Sequence, residues 1–149
     1  MEGQREGQME SGDEMKALSI RQPWVWGIMS AGKKIENREW PTKYRGTVLI
    51  HAAKGLTKAE YAEFVFWWEY HFKRRPLATY PKCPPMDDLP RGGIVGRARI
   101  VDCIEASTDP WFMGRYGFVL ADVDPIPFIP YKGALGLFDV PDEVVRAAA

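Results

Sequence analysis

The chain has 149 residues, 46% hydrophobic and 13% aromatic, which is enough for one domain with its own core and excludes a disordered or collagen-like polymer. Twenty basic residues balance twenty acidic ones, so histone-like coating of nucleic acid by bulk charge is excluded. The longest apolar runs fall short of the roughly 20 residues a membrane helix needs.

Charge is unevenly placed. Residues 1–15 hold five acids (Glu2, Glu6, Glu10, Asp13, Glu14) against Arg5, leaving 19 basic to 15 acidic residues in the rest. That stretch lacks apolar periodicity and reads as a disordered acidic leader, without the cationic start and apolar centre of a secretory signal. The folded domain is expected over 16–143, with a tail at 144–149. Cys83 and Cys103 are too few for a disulfide framework, and no His/Cys spacing resembles a zinc site. A reduced, cytoplasmic compartment follows, with no metal and no cofactor expected.

Lys16–Ile20 reads as the first strand. Pro23 suits the first position of a helix, whose Trp24, Ile28 and Ala31 repeat at i, i+4 and i+7, with Gly32 closing it. Lys33–Glu39 alternates as a strand, and "GTVLIHAA" (Gly46–Ala53) is apolar enough for the centre of a sheet. Thr57 and Glu60 form a capping box for a second helix, flanked by Leu56 and Tyr61 as a hydrophobic staple. Tyr61, Phe64, Val65, Trp68 and Phe72 make its core stripe, while Phe66, Trp67 and Tyr70 lie on other sides. This leaves the aromatic helix with a face for a ligand cleft or a homodimer contact.

Arg74–Gly92 is proline-rich and reads as a long irregular loop. Gly93–Glu105 and Tyr116–Val123 are strands, Pro125–Gly133 is extended by its prolines, and Leu135–Val140 closes the series. Two main helices set among about six strands describe a mixed α+β domain.

The chemistry gathers at "ALSIRQPWVWGIMSAGKKIENREW" (Ala17–Trp40). A helix starting after Arg21-Gln22 directs unpaired N–H groups at an anion. Arg21 strengthens that end, and Trp24 or Trp26 supplies a stacking face. On the following strand Lys34, Glu36 and Arg38 share one side. A buried Glu36 needs a cationic partner, with Arg38 or a lysine the obvious choice. Lys33, at the corner, is the candidate base or nucleophile activator beside Glu36. His51 reads as a hydrogen-bonded core residue. Lys54 falls just past a strand end, where it can meet a phosphate; His71 has no evident partner. Nucleophile-elbow, zinc-protease and phosphate-loop motifs are absent.

"LSIRQPW", "AGKKIENREW", "YRGTVLIHAAKG", "GGIVGRARIVD" and "YKGALGLFDV", in that order from Lys16 to about Asp142, resemble the ASCH family of the PUA-like superfamily. The resemblance implies a small PUA-like β-barrel plugged by helices. The family's G-x-K-x-x-E-x-R signature falls on Ala31, Lys33, Glu36 and Arg38, with alanine in place of the first glycine. It implies a ligand cleft between this segment and the loop around the first helix, and RNA, single-stranded nucleic acid or a modified nucleoside as partner. Arg21, Gln22, Trp24, Arg38 and Lys54 are then the nucleic-acid-binding candidates. The family also includes enzymes. A metal-independent single-stranded ribonuclease, or an N4-acylcytidine-type amidohydrolase, would use Lys33 and Glu36. Glu36 stands where the amidohydrolases carry threonine. A protein-interaction module built on the helix around Trp67 is the third reading.

Overall fold

The computed structural model describes residues 14–72 and 81–148. It contains six strands, β1 (Glu14–Ile20), β2 (Ile35–Arg38), β3 (Gly46–Ala52), β4 (Gly93–Ile104), β5 (Tyr116–Pro130) and β6 (Leu137–Pro141). Among the described residues three helices accompany them, α1 (Trp24–Ser30), α2 (Lys58–Phe72) and α3 (Asp142–Ala148), with a 3₁₀ turn at Met86–Asp88. The mixed α+β class is as expected. Residues 1–13 of the acidic leader and 73–80 of the proline-rich loop lie outside the described residues; Glu14 and Met15 already belong to β1.

All six strands form one sheet in the order β2-β5-β4-β3-β1-β6. Only β1 and β3 run parallel, and their register sets Ser19 beside His51. The ladder ends at β2 on one side and β6 on the other, so these hydrogen bonds do not close the sheet into the expected barrel.

Burial follows the two-residue period of the strands. Leu18, Ile20, Val48, Ile50, Ile100, Phe118 and Leu120 pack with Val25 and Ile28 of α1. Ala17, Leu49, Ile94, Ile129 and Val140 point to the other side, where Val144 and Val145 of α3 cover them. A third cluster is mostly aromatic and joins Trp26 to Phe64, Trp68 and Phe72 of α2 and to Trp111.

The capping box is present: Thr57 N–H donates to Glu60 Oε1 at 2.9 Å, and Glu60 N–H donates to Thr57 Oγ1 at 3.1 Å. Three boundaries differ from the sequence expectation. Lys33 and Lys34 precede β2, because the Lys33 N–H still donates to Gly27 O at the helix–strand corner. β5 runs unbroken through Pro125 and Pro127 to Pro130, with a left-handed residue at Asp122 (φ 54°). The chain from Asp142 to Ala148 is helical, with Asp142 and Glu143 in its first turn.

Candidate nucleic-acid interface

The signature residues Lys33, Glu36 and Arg38 converge, but inside the protein. Lys33 is 1% exposed and Glu36 7%. The Lys33 ammonium donates to Glu36 Oε1 at 2.8 Å and to the Ile35 carbonyl. Arg38 Nη2 lies 3.4 Å from Glu36 Oε2 and donates to Ser19 O at 2.8 Å. One carboxylate therefore sits between two cations, as a buried acid requires. The Lys33 stem passes Gly27, where an added Cβ would come within 3.3 Å of its Cδ. Glu36 and Arg38 line none of the clefts described below, and the Lys33 ammonium is committed to its two acceptors.

The start of α1 spends N–H groups on internal partners. Val25 N–H donates to Arg21 O, Gly27 N–H to Pro23 O, and Trp26 N–H to Gln22 Oε1 at 3.1 Å. Three of the donors expected to face a ligand are thus already used. Gln22 itself is 2% exposed and sends its Nε2–H to Pro90 O at 2.9 Å. Arg21 is exposed but held by Glu60 at 2.6 Å. That contact, with the Thr57 N–H second, keeps the Glu60 carboxyl below its ordinary value.

Trp24 is half-buried against Phe64 (ring centroids 4.8 Å apart), Trp67 (5.8 Å) and Trp111 (6.4 Å); Trp26 is a core residue. With Arg21, Gln22, Glu60, Glu63, Phe64, Trp67 and Met113, Trp24 lines a cleft of 470 Å³.

Lys54 faces a different and larger hollow of 710 Å³, which it lines with Ser19, His51, Arg91, Phe128, Tyr131 and Lys132, among others. No carboxylate contributes to that lining. Its walls come from three strand ends pinned together. The Gly92 N–H donates to Ala52 O at 2.7 Å, the Tyr131 N–H to Gly92 O at 3.1 Å, and Arg91 Nη1 to Lys54 O at 3.1 Å. Gly92 adopts φ 79°, which glycine accommodates without strain.

At the floor His51 bridges Ser19 and Tyr131. A carbonyl only accepts, so His51 Nε2 carries the proton donated to Tyr131 O (2.7 Å) and Nδ1 accepts from the Ser19 hydroxyl (2.9 Å). A Cβ at Gly133 would fall 2.8 Å from His51 Cε1 and 2.9 Å from Ser19 Oγ, so only glycine lets the chain pass there. His51 is thus the hydrogen-bonded core residue expected. Arg91 is far in sequence from Phe128, Tyr131 and Lys132, and nothing local to either segment signals that they meet Lys54.

The G-x-K-x-x-E-x-R residues, the IRQPW turn and Lys54 all fall within residues 18–114, the stretch matched by the family profile described as the ASCH domain. The chain belongs to the ASCH domain family. Two relatives named activating signal cointegrator 1 share part of it. The Homo sapiens protein is 31% identical over 88 residues, covering 58% of this chain and 14% of that protein. The Mus musculus protein is 29% identical over 87 residues, with the same coverage of each. The ASCH match includes Arg91 but stops before Phe128, Tyr131 and Lys132, so part of the basic hollow is contributed by sequence beyond it. Among the described residues no group of three or more His, Cys, Asp or Glu side chains is placed to hold a metal. None of the described helices is long and apolar enough to cross a membrane.

Proposed function

We propose that this ASCH domain binds RNA or another single-stranded nucleic acid, with one nucleotide seated in the Lys54 hollow. The observation that carries the reading is its charge. Lys54, Arg91 and Lys132 border a 710 Å³ space whose lining holds no carboxylate, the arrangement a phosphodiester needs. Phe128, 46% exposed on the same rim, offers a face for a base, and such stacking is worth about 1–3 kcal/mol. A modified nucleoside is the narrower ligand of the same site.

In this reading three of the expected contact residues act one step back. Arg38 fixes Ser19 at the floor through its carbonyl. Gln22 holds Pro90, the neighbour of Arg91. Arg21 lies against Gly55, where an added Cβ would be 2.9 Å from its Nη1, beside Lys54. Trp24 belongs to the other cleft. Barrel-like curvature is part of the same proposal, supported by three register shifts between β4 and β5, irregularities that bend a sheet. Self-association through α2 is supported by Phe66 and Tyr70, 74% and 65% exposed. Two free cysteines support a reducing, cytoplasmic setting.

Fluorescence anisotropy with a labelled single-stranded oligoribonucleotide tests the site. Three phosphate contacts give a log–log salt slope of about −2, and Lys54→Ala, Arg91→Ala or Lys132→Ala should each make it shallower by about 0.7. Absence of binding at the lowest salt, or slopes unchanged in all three variants, rejects the assignment.

A further inference from the structure

The second cleft has the opposite chemistry. Its walls are Trp24, Phe64 and Trp67, and its charged lining is Arg21, Glu60 and Glu63. Arg21 is neutralised by Glu60 at 2.6 Å. Glu63 is exposed and has no ion-pair partner among the described residues. One uncompensated carboxylate at an aromatic hollow repels phosphate and attracts a cation.

Ring geometry narrows the class. Trp24 and Trp67 have centroids 5.8 Å apart and planes inclined at 56°. A planar base inserted between two rings needs them near-parallel and about 7 Å apart, twice the van der Waals contact distance. An inclined pair instead makes a wedge for a compact head. A bare ammonium is strongly hydrated and asks for several hydrogen-bond acceptors; the indole faces supply none, and Glu63 is the one carboxylate of the lining outside an ion pair. A methylated ammonium asks for none and is attracted by the ring faces.

A clamp from β2 fixes the loop beside the wedge. Asn37, at the third position of β2, accepts from Met113 N–H at 2.9 Å and Gly114 N–H at 3.0 Å, and donates to Trp111 O at 2.9 Å. This clamp sets Met113, 46% exposed, as a soft fourth wall. The Lys33 ammonium, 5.9 Å from the Trp24 ring, is held by Glu36 and the Ile35 carbonyl and does not line the cleft.

We propose that the Trp24–Trp67 cleft is a binding site for a methylated ammonium head group, separate from the phosphate-binding hollow at Lys54. Titration of the indole N–H signals by NMR, with the intact protein, tests this. The probes are choline, its uncharged carbon isostere 3,3-dimethylbutan-1-ol, and 7-methylguanosine as a planar cation. Choline should shift the Trp24 and Trp67 signals and bind at least about fivefold tighter than the isostere, the ratio expected of an exposed cation–π site. Glu63→Gln, a surface change that leaves the fold alone, should weaken choline about threefold and leave the isostere unchanged. Trp67→Phe should weaken both. Equal affinity for choline and the isostere, no shift at Trp24 and Trp67 up to tens of millimolar, or preference for 7-methylguanosine each overturns the proposal. A choline-saturated protein should bind the oligoribonucleotide as before, so failure at one cleft is readable apart from the other.

Discussion

The Lys33 ammonium and the Glu36 carboxylate meet at 2.8 Å with 1% and 9% of their side chains exposed. A pair so placed contributes little net stability when whole, but removal of one member leaves a buried charge. Lys33→Met, which keeps the stem's bulk, should cost about 3–5 kcal/mol. The double variant Lys33→Met/Glu36→Gln should recover part of that, because no carboxylate is left without its ammonium. Urea denaturation of the three proteins measures both effects. A single-variant loss under about 1 kcal/mol would show that Arg38 alone satisfies Glu36.

Arg21 and Gln22 are neighbours in sequence with opposite expectations. Gln22 is buried and supplies both a cap to the Trp26 N–H and a bond to Pro90 O. Gln22→Ala should therefore cost about 1–3 kcal/mol, the usual result of orphaning buried polar groups. Arg21→Ala removes an exposed ion pair with Glu60 and should change stability by less than about 1 kcal/mol. Thermal unfolding of the two variants side by side provides the comparison.

Glu60 links the capping box to acid stability. Its carboxyl is held low in the folded protein, first by Arg21 and then by the Thr57 N–H. The contribution is therefore present above the ordinary carboxyl range and is lost as pH falls through the lowered folded value. Glu60→Gln should flatten that part of the acid limb in a pH series of melting temperatures, with the wild type and the variant converging at the acid end.

Burial pushes the Cys83 thiol up to about 11. At pH 8 only about one thiol in a thousand is then the reactive thiolate. Iodoacetamide should modify Cys83 far more slowly in the native protein than after unfolding in urea, as read by peptide mass spectrometry. Native modification as fast as in the unfolded chain would contradict its burial.

What could be read from the sequence was local. The capping box rests on residues three apart, and β3 is one unbroken apolar run, so both were visible. The Lys33–Glu36–Arg38 grouping was visible too, but its inward direction depends on the Gly27 corner and on neighbouring elements that enclose it. The basic hollow had no local signature, since Lys54, Arg91 and Lys132 are joined only when β3, β4 and β5 align. β5 looked broken because its prolines suggested an end to pairing. Beyond Val119, however, β2 no longer pairs with it, so Pro125, Pro127 and Pro130 give up no ladder bond on that side.

The same prolines govern how molecules meet at high concentration. Among the described residues the sheet's open margins are the four-residue β2, the proline-bearing half of β5, and the five-residue β6 ending at Pro141. Each is too short, or too poor in free N–H groups, to template a strand from another copy. Crowded solutions of the folded protein should therefore resist fibril growth by edge addition.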